Sequence, residues 1–127
     1  MSNIPDDLLY TKTHEWLKKE GKLYRIGITD HAQSELTDVV FVEFEKKGKM
    51  VGAGDVVATV ESVKTVSEIY APVPGTISEI NEILLKSPEK INSDPYGEGW
   101  FLLLEPSGGM ETASLLSPEA YRRTIGE

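Results

Sequence analysis

Lys64 is the residue with the clearest chemical potential in this chain. It sits between two short β-prone runs, Val56-Val57-Ala58-Thr59-Val60 before it and Glu68-Ile69-Tyr70 after it. Gly52 and Gly54 punctuate the upstream side, and Pro72, Pro74 and Gly75 the downstream side. Valine and threonine favour strands, whereas glycine and proline end them. The pattern predicts strand, tight turn, strand, with Lys64 at the tip. A lysine placed there is a long flexible arm ending in a primary amine, held out to solvent by a rigid hairpin.

Other side chains are less promising as reagents. There is no cysteine, so disulfides, thiolate catalysis and Cys-ligated metals are excluded, and any thiol redox chemistry needs an attached group to bring the sulfur. His14 and His31 have no metal-ligand spacing with a carboxylate cluster, so no metal site is expected. No residue set reads as a catalytic centre. Trp16 and Trp100 read as core rather than as stacking platforms.

The chain has 127 residues, 39% of them apolar and 27% charged, which suits one globular domain with a modest core. No apolar run approaches the ~18–20 residues of a membrane span, so a membrane location is not expected. The first residues, Met-Ser-Asn-Ile-Pro-Asp-Asp, have neither a basic region followed by an apolar stretch nor an Arg-rich amphipathic pattern. A cytoplasmic, bacterial-type protein is therefore expected, and a processed mitochondrial form would read the same way. The net charge of −8 argues against nucleic acid as a partner and favours basic protein surfaces.

The elements that must position Lys64 follow from periodicity and punctuation. After Leu8-Leu9-Tyr10, Thr13 to Lys18 reads as a strand, Lys19-Glu20-Gly21-Lys22 as a turn, and Leu23 to Ile28 as a returning strand with Tyr24, Ile26 and Ile28 on one face. Thr29 can cap a short helix over Asp30 to Leu36. Val39-Val40-Phe41-Val42-Glu43-Phe44 is the most hydrophobic strand and is expected to be central. Lys46 to Lys49 forms a turn, and Met50 to Asp55 leads into the lysine hairpin. Thr76 to Ile80 is a further strand, and Asn81-Glu82 turns the chain. Ser87-Pro88-Glu89 has the signature of a helix start. Ile91 to Gly99 reads as a loop, Trp100 to Glu105 as a last buried strand, and Ser117-Pro118-Glu119 as the start of a C-terminal helix. Many short strands broken by Gly and Pro predict a mainly β fold: two packed antiparallel sheets in a flattened barrel-sandwich, with short helices and a C-terminal helix.

Glu61-Ser62-Val63-Lys64, with Ala71-Pro72-Val73-Pro74-Gly75 ending eleven residues after the lysine, resembles the attachment site of swinging-arm carrier domains. Biotin sites of that kind usually read Ala-Met-Lys-Met, but Val63 and Thr65 flank the lysine here. Lipoyl domains of 2-oxoacid dehydrogenases usually place Asp before it, where this chain has Val63. Six stretches together are more specific. Tyr10 through Trp16, Gly27 through Gln33, Val39 through Glu43, Glu61 through Lys64, Ala71 through Gly75 and Asn92 through Trp100 keep the order seen in the glycine cleavage H-protein family. The resemblance covers about residues 8–105.

That resemblance implies a lipoyl carrier with no enzymatic activity of its own. Lipoate would be joined to Lys64 by an amide, within a hairpin context of Glu61, Ser62, Val63, Thr65 and Gly75. The implied domain is a single carrier unit, 1–127, with its core at about 8–105 and a C-terminal extension carrying a helix at about 110–126. The implied partners are a pyridoxal-phosphate glycine decarboxylase, which loads an aminomethyl group on the arm, and a tetrahydrofolate-dependent aminomethyltransferase, which takes it off. A dihydrolipoyl dehydrogenase reoxidises the dithiol, and a lipoate ligase or lipoyl/octanoyl transferase builds the amide. The hard chemistry belongs to those enzymes and their cofactors. The alternatives are an H-like lipoate-relay or binding protein, or a lipoyl domain of a 2-oxoacid dehydrogenase.

In the family the loaded arm folds back into a cleft near the His14-Glu15-Trp16 segment and the short helix. By analogy Thr13, Glu15, Glu35 and Glu68 are its candidates. Glu15 on its own reads equally as a solvated strand carboxylate. Glu35 stands where some family members carry a histidine, and Thr37 stands in place of the usual glycine after Leu36. If Thr37 is held at positive φ, it is expected to cost on the order of 1 kcal/mol. Gly75 is expected to take a positive φ that a β-branched residue would resist.

Overall fold

The computed structural model describes residues 3–107 and 115–127. Its strands are β1 (Leu9–Tyr10), β2 (Glu15–Glu20), β3 (Leu23–Ile28), β4 (Val39–Phe44), β5 (Met50–Val51), β6 (Val56–Ser62), β7 (Val66–Tyr70), β8 (Gly75–Ile80) and β9 (Leu102–Pro106). Four short helices join them: α1 (Asp30–Leu36), α2 (Ile83–Lys86), α3 (Lys90–Ser93) and α4 (Pro118–Thr124). One sheet has six strands in the order β1-β2-β3-β9-β8-β5, and the other has three in the order β4-β6-β7. Every strand pairing is antiparallel. The expected mainly β, two-sheet architecture with short helices is what the chain adopts.

Alternation of side chains builds the core between the sheets. Leu17, Ile26, Ile77, Leu102 and Leu104 of the larger sheet belong to one buried cluster with Val42, Val57, Val60 and Ile69 of the smaller. A second cluster lies between the β1–β2 edge and α4, built from Ile4, Leu8, Tyr10, Trp16 and Tyr121. Tyr10 and Tyr121 stack with centroids 4.8 Å apart. Helix α4 is fixed by Ser117, whose hydroxyl accepts from the Ala120 amide, with Pro118 in the first turn and two arginines at the negative end. The expected helix at the C-terminus is thus Pro118–Thr124, and residues 110–114 of the expected extension lie outside the described residues.

Several expectations are corrected. β4 is an edge strand, and β6 is the centre of its sheet. The hydrophobicity of β4 reflects two uses: Val39 and Val42 face the core, while Val40 and Phe41 face solvent. The strand expected from Thr13 starts at Glu15, because His14 takes φ 70 in a turn closed by its amide donating to the Thr11 carbonyl. α2 follows the expected Asn81-Glu82 turn and is not anticipated by the sequence pattern; its single buried residue, Leu84, is too weak a periodic signal. α3 starts at Lys90 rather than at Ser87-Pro88 and interrupts the stretch expected to be a loop. Ser87 and Pro88 use their carbonyls to accept from Lys90 and Ile91 instead. Trp16 is core, but Trp100 is only partly buried, and the Arg25 guanidinium lies 4.4 Å from its ring centroid.

Candidate functional site

The β6–β7 hairpin holds Lys64 at its tip. Its last ladder position pairs Glu61 with Val66, and the Ser62 amide donates to the Thr65 carbonyl at 2.8 Å, leaving Val63 and Lys64 as the loop. Two-residue hairpins usually need positive φ in the loop. Here neither loop residue has it. Ser62 supplies the constraint instead. Its hydroxyl oxygen accepts from the amides of Lys64 (3.2 Å) and Thr65 (3.1 Å), as in a serine-mediated turn. The Val63 amide donates to the Asp38 carbonyl at 3.0 Å, anchoring the tip to the chain entering β4. Val63, Lys64 and Thr65 are exposed while Ser62 is buried, and among the described residues the Lys64 ammonium makes no ion pair.

Gly75 corrects one expectation. It does not take a positive φ. A Cβ built there would run into the Glu105 carbonyl oxygen and lie 3.0 Å from the Glu105 carbonyl carbon and from Pro106 Cα. Gly75 pairs with Pro106 at the start of β8, so glycine is required by the close approach of β9, not by a left-handed backbone. Thr37, in contrast, has φ 63 and ψ −146, a region nearly reserved for glycine. Its amide still closes α1 onto Gln33, and its carbonyl accepts from Asn92 at 2.6 Å.

Beside the hairpin lies a cleft of about 220 Å³. Its walls are the Thr13-His14 turn, the inner side of α1 (Ala32, Glu35, Leu36) and residues of the hairpin itself (Thr65, Ser67, Glu68, Ile69). Three of the four cleft candidates, Thr13, Glu35 and Glu68, therefore meet there. Glu15 does not line it. Instead it borders a neighbouring cavity of about 430 Å³ with Thr11, Tyr70, Pro72 and Leu116. Thr13 lines both hollows, and β7 runs past both, so they follow one another along that strand.

Glu15 is not solvated; it is 1% exposed. The hydroxyls of Thr11 and Thr13 donate to its Oε1, and the Tyr70 amide approaches Oε2 at 3.4 Å. Burial pushes its carboxyl above the usual glutamate value, with the threonine and Tyr70 hydrogen bonds opposing the rise. His14 is pushed below the ordinary histidine value, chiefly by burial and then by His31, while Glu35 opposes. The His14 and His31 rings are 5.0 Å apart, and His31 Nε2 is 3.7 Å from Glu35 Oε1. No group of three or more metal-ligating side chains occurs among the described residues.

Sequence reading did not single out Thr11, the second hydroxyl on Glu15; Thr11 and Thr13 reach that carboxyl through the turn at His14, where φ is 70, and not through strand alternation. It also did not find Tyr121, which reaches the His14 turn from the far end of the chain. No local pattern reports a contact of that separation.

The arrangement joins a solvent-facing amine to an elongated hollow with apolar walls (Ile28, Leu36, Ile69) and carboxylates at its rim. It suits a long, flexible, largely apolar group attached at Lys64, and a cationic load on that group. Among the described residues, no helix is long and apolar enough to cross a membrane. Comparison with known proteins gives the same direction. The glycine cleavage H-protein family model matches residues 8–127. The glycine cleavage system H protein of Rubrobacter xylanophilus is 54% identical over 127 residues, covering 100% of this chain and 98% of that protein. Its counterpart in Thermus thermophilus is 51% identical, covering 97% of this chain and 96% of that one. The crystal structure of a glycine cleavage system H protein from Mycobacterium marinum superposes with a TM-score of 0.89 at 38% identity, covering 98% of this chain and 100% of the other. The chain belongs to the glycine cleavage H-protein family, the non-enzymatic carriers that bear lipoate on a lysine and shuttle within the glycine cleavage system.

Proposed function

We propose that Lys64 is the lysine that carries lipoate, and that Thr13, Glu35 and Glu68 line the hollow that receives the loaded arm. The observation that carries this reading is the Ser62-clamped tip, which exposes Lys64 in a loop whose next residue, Thr65, lines the cleft shared by α1 and β7. The bound group would supply the sulfur this cysteine-free chain lacks, both to accept a one-carbon amine unit and to cycle between dithiol and disulfide. The protein's own residues orient and shelter it. Ile28, Leu36 and Ile69 offer apolar contact to the arm, and the Glu35 and Glu68 carboxylates face a cationic load. Glu15 acts one position further along the groove, as a buried carboxyl that a cation brought near would drive towards ionisation. Amide formation removes one positive charge, taking the formal net charge one unit below −8.

The partners we infer are a pyridoxal-phosphate glycine decarboxylase, a tetrahydrofolate-dependent aminomethyltransferase, a dihydrolipoyl dehydrogenase, and a lipoate ligase or lipoyl/octanoyl transferase, in a cytoplasmic setting. The whole chain, 1–127, acts as one carrier unit. The test is intact mass and peptide mapping of protein made with a lipoate ligase. One lipoyl group on Lys64 is expected, and Lys64→Arg should abolish both the modification and glycine cleavage while melting normally. A lipoyl mass on another lysine overturns the assignment.

A further inference from the structure

We infer that the exposed face of the β4-β6-β7 sheet, centred on Phe41 and Val66, is the surface by which the enzyme that acylates Lys64 recognises this protein. The proposal rests on the reading of Lys64 as the modified residue.

The register places the face. Phe41 pairs with Glu61, and Glu61 pairs with Val66, so these three side chains form one row across the sheet on the same side. The row below it is Glu43, Thr59 and Glu68. A register shift between Val39 and Phe41 turns Val40 outward as well. Phe41 is 51% exposed, Val66 60% and Val63, in the loop beside Lys64, 65%. The other large exposed apolar side chains, Met50, Ile83 and Leu85, belong to β5 and α2, outside this sheet. An apolar row this exposed, interrupted by one carboxylate and bordered by others, has no partner within the described residues. Isolated exposed apolar residues need no explanation, but clustered ones mark contact surfaces.

Continuity with the modified amine selects the occupant. Making the amide requires an activated lipoyl donor, an acyl-adenylate or acyl-thioester. The Lys64 nitrogen forms a bond to its acyl carbon, the nitrogen loses a proton, and the bond to the leaving group breaks with the electron pair departing on that group. An enzyme holding such a donor must close over the hairpin tip, and the row Phe41-Glu61-Val66 is the first sheet surface below that tip. Its chemistry calls for a partner with an apolar centre for Phe41 and Val66 and basic side chains for Glu61, Glu43 and Glu68.

The experiment uses full-length unmodified protein, a purified bacterial lipoate–protein ligase, lipoate and MgATP, with intact mass as readout. The Phe41→Thr/Val66→Thr double variant keeps β-prone residues on solvent-facing positions. Its kcat/KM as acyl acceptor is expected to fall about tenfold or more, equivalent to ~1.4 kcal/mol, mostly through KM, with melting unchanged. Val63→Thr, in the loop and outside the sheet, should give a smaller loss in the same sense and serves if the double variant melts early. Met50→Thr, on the other sheet, should behave as the native protein. Acylation of the double variant and of Val63→Thr within twofold of native overturns the proposal. So does native acylation combined with slower loading by glycine decarboxylase, which would assign the face to that enzyme. A lipoyl mass on the Lys64→Arg variant would instead overturn the reading on which the proposal rests.

Discussion

The Tyr121 hydroxyl lies 2.8 Å from Nδ1 of His14, across 107 residues of chain, and 2.7 Å from Oγ1 of Thr29. Burial raises the Tyr121 pKa to about 12, so its hydroxyl stays protonated at neutral pH. One phenol thus ties the C-terminal helix to the turn before β2 and to the cap of α1, the two elements that wall the arm cleft. Tyr121→Phe should leave the buried Thr29 hydroxyl and the partly buried His14 ring without this partner and lower stability by about 1–3 kcal/mol. Denaturant melting measures the loss. Lipoylation of Lys64, whose loop is held by Ser62 and Asp38 and not by Tyr121, should be unaffected.

The same neighbourhood gives a pH dependence whose sign can be worked out. The folded-state pKa of His14 lies below its ordinary value of 6.5, so below that pH the unfolded chain binds more protons at this site. Stability should therefore fall as pH drops through 6.5 towards the folded value, and His14→Gln should flatten that slope. Glu15 acts in the opposite sense. Its folded pKa is raised above 4.5, so its favourable contribution is full below that pH and is lost as pH rises through the folded value. Urea melts from pH 4 to 8 on native, His14→Gln and Glu15→Gln proteins separate the two effects.

Gly75 should tolerate no side chain. Because the obstacle is the β9 backbone and not the sign of φ, Gly75→Asn should be no better than Gly75→Ala, whereas at a true left-handed position asparagine is the better substitute. Both are expected to cost about 1–3 kcal/mol, as overpacking does. A clear advantage for asparagine in thermal melts would restore the conformational explanation.

Ser62→Ala should uncouple modification from stability. It removes the acceptor for the Lys64 and Thr65 amides but keeps the Ser62 to Thr65 backbone bond. Those amides are near solvent, so the expected loss in stability is only about 0.5–1.5 kcal/mol. A loosened tip should nevertheless slow acylation, read as a lower kcat/KM by intact mass.

With 21 acidic against 13 basic residues, encounters with partner enzymes should be electrostatically steered. The KM of the loaded protein for dihydrolipoyl dehydrogenase should rise with ionic strength as the Debye length falls from ~10 Å at 0.1 M to ~3 Å at 1 M. Free lipoamide, lacking the acidic scaffold, should show much less dependence. Equal sensitivity of the two would remove the case for steering.

What was readable in the amino-acid order was local. The Lys64 hairpin, the Thr29 and Ser117 caps and the alternation of Tyr24, Ile26 and Ile28 depend on residues a few positions apart, and all of them appear as expected. What escaped was set by distant chain. The edge position of β4 depends on which strand pairs with β6, and the constraint on Gly75 comes from Glu105. The carboxyl of Glu15 meets the Tyr70 amide, 55 residues away. Thr37 was legible only as a departure. Its positive φ is held by Asn92, 55 residues away.

The contrast between the short span of the lysine hairpin and the long span of the His14–Tyr121 bond has a kinetic consequence. Closing a loop of about a hundred residues costs roughly 3 kcal/mol more chain entropy than closing one of about five. Near-neighbour pairing between β6 and β7 is therefore expected early in folding, and docking of α4 onto the β1–β2 edge late. A chain midway to its native state would already hold out its acceptor amine, before the hollow meant to shelter the arm had been walled in.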